Sequence, residues 1–162
     1  MVIGAKRIET RSWYTAYRGL VGIHASKGYP PDARNFAKSR PVYELLLDGG
    51  FSTISSPGVQ EPLDMTSRGF GEVQPMPFGS IVAVGRLDEC KSTEALLYAD
   101  AVTKQERLLG NYQPGRYGFL IGDIVRLPEP IPARGMLGLW TPDATTAEQL
   151  VSFWTGRAQS RL

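Results

Sequence analysis

The sequence predicts an α+β fold, and three observations carry that prediction. Runs rich in β-branched and aromatic residues, with a period of two, stand at 8–13, 20–25, 79–87 and 117–126. Stretches with helical start and stop signals stand at 31–39, 42–48, 94–100, 103–109 and beyond 145. The chain has 162 residues, 42% of them apolar and 21% charged. That is the length of one domain, able to bury about two-thirds of its unfolded surface.

The first strand begins at Arg7. Alternation puts Glu9, Arg11 and Trp13 on one face and Ile8, Thr10 and Ser12 on the other. Leu20-Val21-Gly22-Ile23-His24-Ala25, after the Arg18-Gly19 turn, reads as a second strand antiparallel to the first. Ser26-Lys27-Gly28 closes it with a polar turn. Pro30-Pro31-Asp32 starts a helix that runs to about Ser39, because proline is tolerated in a first helical turn. Pro41 begins a second helix, from Val42 to Asp48, stopped by Gly49-Gly50.

From 51 to 78 the composition shifts to Gly, Pro, Ser and Thr with little periodicity, which reads as a loop insertion covering one end of the domain. Residues 79–87 carry the strongest strand pattern in the chain. Ser92 or Thr93 caps a helix from Glu94 to Asp100, and Thr103 caps a short one ended by Gly110. The strand at 117–126 continues toward Pro128, Pro130 and Pro132, and these prolines exclude a central ladder position there. Met136 to Trp140 reads as a last short strand. Thr145 or Thr146 caps a C-terminal helix in 143–162, with Leu150, Phe153 and Trp154 as its apolar stripe. This helix packs on the domain or extends from it.

Chemistry concentrates in Gly4-Ala5-Lys6-Arg7-Ile8-Glu9-Thr10-Arg11-Ser12-Trp13. Lys6, on the turn that Gly4 permits, can swing over the face that carries Glu9. A cation, a carboxylate, a guanidinium and an indole then converge, a set that suits a flat, polar ligand. The same residues also suit a surface Glu9–Arg11 pair worth about 0–1 kcal/mol, with Trp13 as half-buried core.

Gly4-x-Lys6-x-x-Glu9-x-Arg11 resembles the G-x-K-x-x-E-x-R signature of the ASCH (activating signal cointegrator homology) domain, a branch of the PUA-like folds. Arg11-Ser12-Trp13, Tyr17-Arg18-Gly19 and Ile23-His24-Ala25-Ser26 resemble further runs of that family in order. Gly115-Arg116-Tyr117 through Pro128, and Gly135 to Trp140, resemble its closing strands. The resemblance spans most of residues 3–142. It implies a PUA-like β-barrel of about five or six strands with flanking helices, over residues 1–142. Members usually carry a strand and a helix, with a Pro-Trp pair, before the signature glycine. Here only Met1-Val2-Ile3 stands there, so the expectation is a barrel lacking its first strand and helix, with an open edge through which the chain self-associates.

The resemblance also implies a cleft lined by Lys6, Glu9, Arg11 and Trp13, with His24, Ser26 and Lys27 at the next strand end and Arg116 and Tyr117 opposite. Such a cleft suits single-stranded RNA or a modified nucleoside or nucleotide. Trp13 or Tyr117 offers a stacking surface worth about 1–3 kcal/mol per base. Lys6, Lys27 and Arg116 can meet phosphates, and Glu9 can accept from an exocyclic amine or a ribose hydroxyl. A histidine placed like His24 is more often a core or rim residue than a catalyst, and Tyr117 suits core packing equally. Some small ASCH proteins are amidohydrolases of acylated cytidine, with a threonine three positions after the lysine. That position is Glu9 here, and Thr10 points to the other face. A Lys6–Glu9 acid/base pair acting on RNA or on an acylated or modified nucleoside is the enzymatic alternative, and a protein-interaction module is a third.

Composition bounds the rest. The net charge of +2 allows a local basic patch without demanding one. Cys90 is the only cysteine and His24 the only histidine, so no disulfide forms within the chain and no Cys/His zinc site is implied. No cofactor is expected. Gly69-Phe70-Gly71 lacks the context of a nucleotide fingerprint, and no G-x-S-x-G elbow supports a serine nucleophile. No run approaches the roughly 20 apolar residues of a membrane span, and no signal-peptide h-region is present, so the expected location is cytoplasmic.

Overall fold

The strands and helices follow one another as β1 (Ile8–Arg11), β2 (Gly19–Ala25), α1 (Pro31–Lys38), α2 (Arg40–Asp48), β3 (Phe51–Ser52), β4 (Leu63–Asp64), β5 (Glu72–Pro75), β6 (Ser80–Ser92), α3 (Thr93–Tyr98), α4 (Lys104–Leu109), β7 (Tyr117–Pro132) and α5 (Ala144–Gln159). The structure, a computed structural model, describes residue 1 and residues 3–52, 63–64 and 72–159. It is an α+β fold with a four-stranded sheet in the order β1-β7-β6-β2 and a three-stranded sheet in the order β3-β5-β4. The chain divides into two units, one made of Met1–His24 and Ile81–Leu162, the other of Ala25–Ser80.

The expected PUA-like barrel is not formed. Among the described residues the four-stranded sheet starts at β1 and ends at β2, and these end strands do not pair to close it. Closure needs first and last strands brought together by tilt and stagger. Here β1 has only four residues, and the segment entering it is bonded to a helix. Gln105 Nε2 of α4 donates to the Ala5 carbonyl at 2.9 Å, and the Arg7 N–H donates to the Glu106 carboxylate.

β1 and β7 run antiparallel, with Ile8 opposite Leu120, Glu9 opposite Phe119, Thr10 opposite Gly118 and Arg11 opposite Tyr117. Residues directly opposite share a face. One face therefore carries Ile8, Thr10, Gly118 and Leu120, and buries Ile8 against Leu96 and Val102. Gly118 is required there, since a Cβ would collide with the Leu96 side chain. The other face carries Glu9, Arg11, Tyr117 and Phe119. It is floored by Leu87, Cys90, Phe119 and Ile121, with Trp13, Val21, Ile23 and Tyr117 packed around them.

A third cluster joins Ile81, Val84, Leu127 and Leu150, with Trp140, Phe153 and Trp154 against it. The apolar stripe of α5 thus packs on the sheet. Full burial of a side chain such as Leu150 is worth about 1.5–3 kcal/mol, so Leu150→Ala would loosen this helix. β7 gives Phe119, Ile121 and Ile124 to the second cluster and Val125 and Leu127 to the third; its alternation slips at Gly122-Asp123, where Asp123 adopts a positive φ of 48°. β7 continues through Pro132, but its pairing with β1 stops at Leu120. The prolines therefore meet no β1 neighbour that would require their missing N–H.

Helix ends follow local chemistry. Ser92 Oγ accepts the Ala95 N–H at 3.2 Å, and Thr103 Oγ1 accepts the Glu106 N–H at 3.1 Å. The C-terminal helix differs from expectation. Asp143 caps it, with Oδ1 accepting the Thr146 N–H and Oδ2 accepting the Thr146 hydroxyl, each at 2.9 Å. Thr145 and Thr146 lie inside its first turn. The expected strand from Met136 to Trp140 is a loop, in which Gly138 takes a left-handed φ of 77°.

In the second unit, α1 starts at Pro31 and α2 ends at Gly49, its C-cap. α2 includes Arg40, one residue ahead of the expected start at Pro41. Where a loop is expected over 51–78, β5 pairs parallel with β3 and antiparallel with β4. Residues 53–62 and 65–71 of that expected loop lie outside the described residues. Val42, Leu47, Phe51 and Val73 are buried in this unit.

Candidate functional site

Strand phase assembles the site. Ile8 and Thr10 are buried on one side of β1, which turns Glu9 and Arg11 to the other. Glu9 is the hub: Lys6 Nζ lies 2.7 Å from Oε2 and Arg11 Nη1 lies 2.8 Å from Oε1. Both carboxylate oxygens are thus engaged, and two cations with one anion leave a single positive charge on the trio. The side chains of Lys6 and Glu9 are 15% and 24% exposed, that of Arg11 50%. A hydrogen bond to a charged group that is largely out of water is worth about 1.5–3 kcal/mol. An exposed pair is worth about 0–1 kcal/mol. The Lys6–Glu9 contact belongs nearer the first class, and Arg11 keeps half of its surface for something else.

Aromatic rings flank the charges. Trp13 meets Phe119 edge to face, with ring centres 5.0 Å apart. Phe119 stands opposite Glu9 in the ladder, so the indole rests on the residue that floors the charged trio. Tyr117, opposite Arg11, meets Tyr14 at 5.7 Å, also edge to face. Tyr14 is 55% exposed. Phe119 and Tyr14 are not among the site residues expected from the sequence. Phe119 had a readable signal, since a period of two places it on the same face as Tyr117.

The other expected residues have the following contacts. Val21 and Ile23 of β2 point to the Phe119 cluster, and Gly22 faces Ile81 and Leu150. His24, in phase with Gly22, joins that second side. Its Nε2 lies 3.0 Å from the Ala133 carbonyl and its ring meets Trp140 at 5.9 Å. Arg116 donates through Nε to the Asn111 carbonyl at 3.2 Å, while its own carbonyl accepts the Thr93 N–H. It serves the turn before β7. Ser26 and Lys27 belong to the second unit. There Ser26 Oγ accepts the Gly28 N–H, and the Lys27 stem lies along Gly79.

Across the sheet, the buried Glu106 accepts the Arg7 N–H and lies 3.4 Å from the Tyr112 hydroxyl. Burial first, and then the Glu106 charge, push the Tyr112 phenol well above its ordinary range. Among the described residues no group of three or more His, Cys, Asp and Glu side chains is placed to hold a metal ion. No helix among them is long and apolar enough to cross a membrane. Set against protein-family models and against curated proteins, the chain matches none.

Proposed function

We propose that the face bearing Lys6, Glu9, Arg11, Trp13 and Tyr117 binds single-stranded RNA or a nucleotide. One observation carries this reading: a carboxylate with both oxygens engaged, set between a covered and a half-exposed cation, beside an aromatic wall. The exposed side of the Arg11 guanidinium is free to take a phosphate through paired N–H donors. Tyr14, Tyr117 and Trp13 offer ring surface for a base. Glu9 bridges both cations and can accept from a ribose hydroxyl or an exocyclic amine. The resemblance of Gly4-x-Lys6-x-x-Glu9-x-Arg11 to the ASCH signature supports the same reading.

A salt titration with a short oligouridylate and with uridine monophosphate tests it. Each phosphate contact adds about 0.7 to the logarithmic salt slope for a single strand. Arg11→Ala is expected to flatten the slope by roughly one such contact. An unchanged slope, or no binding at low salt, overturns the proposal. Product analysis on the same mixtures separates binding from hydrolysis, because turnover that disappears in Glu9→Gln would make the site an acid/base centre.

A further inference from the structure

The loop between β7 and α5 is apolar at its tip and tied down at its base. Met136, Leu137 and Leu139 are 60%, 100% and 44% exposed, so its long apolar side chains stand in water. Both ends of the loop are held by His24. The ring Nε2 lies 3.0 Å from the Ala133 carbonyl, and the ring meets Trp140 edge to face. Gly135 is packed so closely that a Cβ there would lie 2.5 Å from the imidazole Cε1. Between these anchors Gly138, at its left-handed φ of 77°, lies near the Trp13 indole: a Cβ built on it would sit 3.9 Å from the ring Cζ2. The tip of the span thus stands beside a ring of the candidate site.

We infer that the 135–139 span is a flap that closes over a base stacked at Trp13, with Leu137 as the side chain that covers it. This rests on the nucleotide reading above. The chemistry of each part fits that role. A leucine left wholly in water gains by moving onto a flat apolar surface, and a base lying beside Trp13 supplies one. Gly138, at its left-handed φ, lets the tip change its backbone angles at little steric cost. His24 keeps the base of the loop fixed while the tip moves, which makes it a positioning residue rather than a binding one. Closure would also remove the trio's aromatic flank from water and slow the departure of a bound nucleotide.

Hydrogen exchange and binding kinetics with uridine monophosphate and a short oligouridylate test this. Saturating probe is expected to slow amide exchange at 135–139. Leu137→Ser is expected to speed dissociation by about tenfold, with association little changed, from the loss of one covered leucine. Leu137 is fully exposed, so this variant keeps the fold. If the probe binds and Arg11→Ala weakens it, yet exchange at 135–139 is unchanged and Leu137→Ser behaves like the parent, the flap is refuted and the nucleotide reading stands. If neither probe binds the parent protein, the nucleotide reading fails and the flap falls with it.

Discussion

The backbone N–H of Arg7 donates to the carboxylate of Glu106, 99 residues further along the chain. This contact and the Gln105–Ala5 hydrogen bond fasten α4 to the segment that enters β1. The residue next to this junction, Lys6, is the first cation of the candidate site, so α4 sets where the charged trio begins. Three residues on, the Thr10 hydroxyl makes a further tie, accepting the Asn111 N–H at 3.0 Å.

Replacing Glu106 tests that fastening. Glu106 is only 7% exposed, so Glu106→Ala leaves the Arg7 N–H without its acceptor in a largely dry place. A loss of about 1–3 kcal/mol in unfolding free energy is expected. Glu106→Gln keeps an acceptor oxygen and should lose less. Urea titrations of the three proteins decide it, and equal midpoints would show that the junction does not hold β1.

Tyr112, beside Glu106, sets an alkaline limit. Its phenol is raised above its ordinary value of 10 by burial first and by the Glu106 charge second. A raised folded value means that the unfolded chain releases this proton at lower pH than the folded one. The contribution to stability is therefore whole below pH 10 and declines as the pH climbs toward the folded value. Tyr112→Phe removes the titration, so its melting temperature should fall less steeply above pH 10 than that of the parent. Parallel curves would refute the assignment.

Asp143 sets an acid counterpart at the start of α5. Its carboxyl is held below its ordinary value of 3.8 by the Thr146 N–H first and the Thr146 hydroxyl second. A depressed folded value means that the stabilisation is present above 3.8 and is lost as the pH falls through the folded value. Asp143→Ala should raise amide exchange in the first turn of α5 at neutral pH and leave little further change on acidification. Unchanged exchange would show that packing of Leu150 alone holds the helix.

What the sequence makes legible, and what it hides, follows from the range of each interaction. The two faces of β1 follow from a period of two, and the Ser92 and Thr103 caps from a side chain reaching a backbone two or three residues away. The Lys6–Glu9–Arg11 convergence is equally local. The closure of a sheet is not, because it depends on which distant strands meet and in what register, and no period in β1 or β2 encodes that. β3 and β4 have two residues each, too few to show any alternation. The segment from Met136 to Trp140 carries strand-like side chains, but Gly138 at positive φ breaks the extended backbone that a ladder needs. His24 keeps its strand neighbours yet serves a loop from another part of the chain, a role that only tertiary packing reveals.

The last prediction separates the two cations of the site. Lys6 is mostly covered and Arg11 is half-exposed, though both lie within 2.8 Å of the same carboxylate. Glu9→Gln removes the anion from both, and the covered ammonium of Lys6 has the fewest alternatives in water. A stability loss of about 1–3 kcal/mol is expected for Glu9→Gln. Arg11→Ala breaks the more exposed pair and should cost under about 1 kcal/mol, while removing the group best placed to meet a phosphate. The expected pattern is a stability defect without Glu9 and a binding defect without Arg11. It is checked by denaturant titration and by uridine monophosphate affinity on the same preparations. If Arg11→Ala lowers stability as much as Glu9→Gln and leaves affinity unchanged, the trio is a structural clamp and the ligand lies elsewhere.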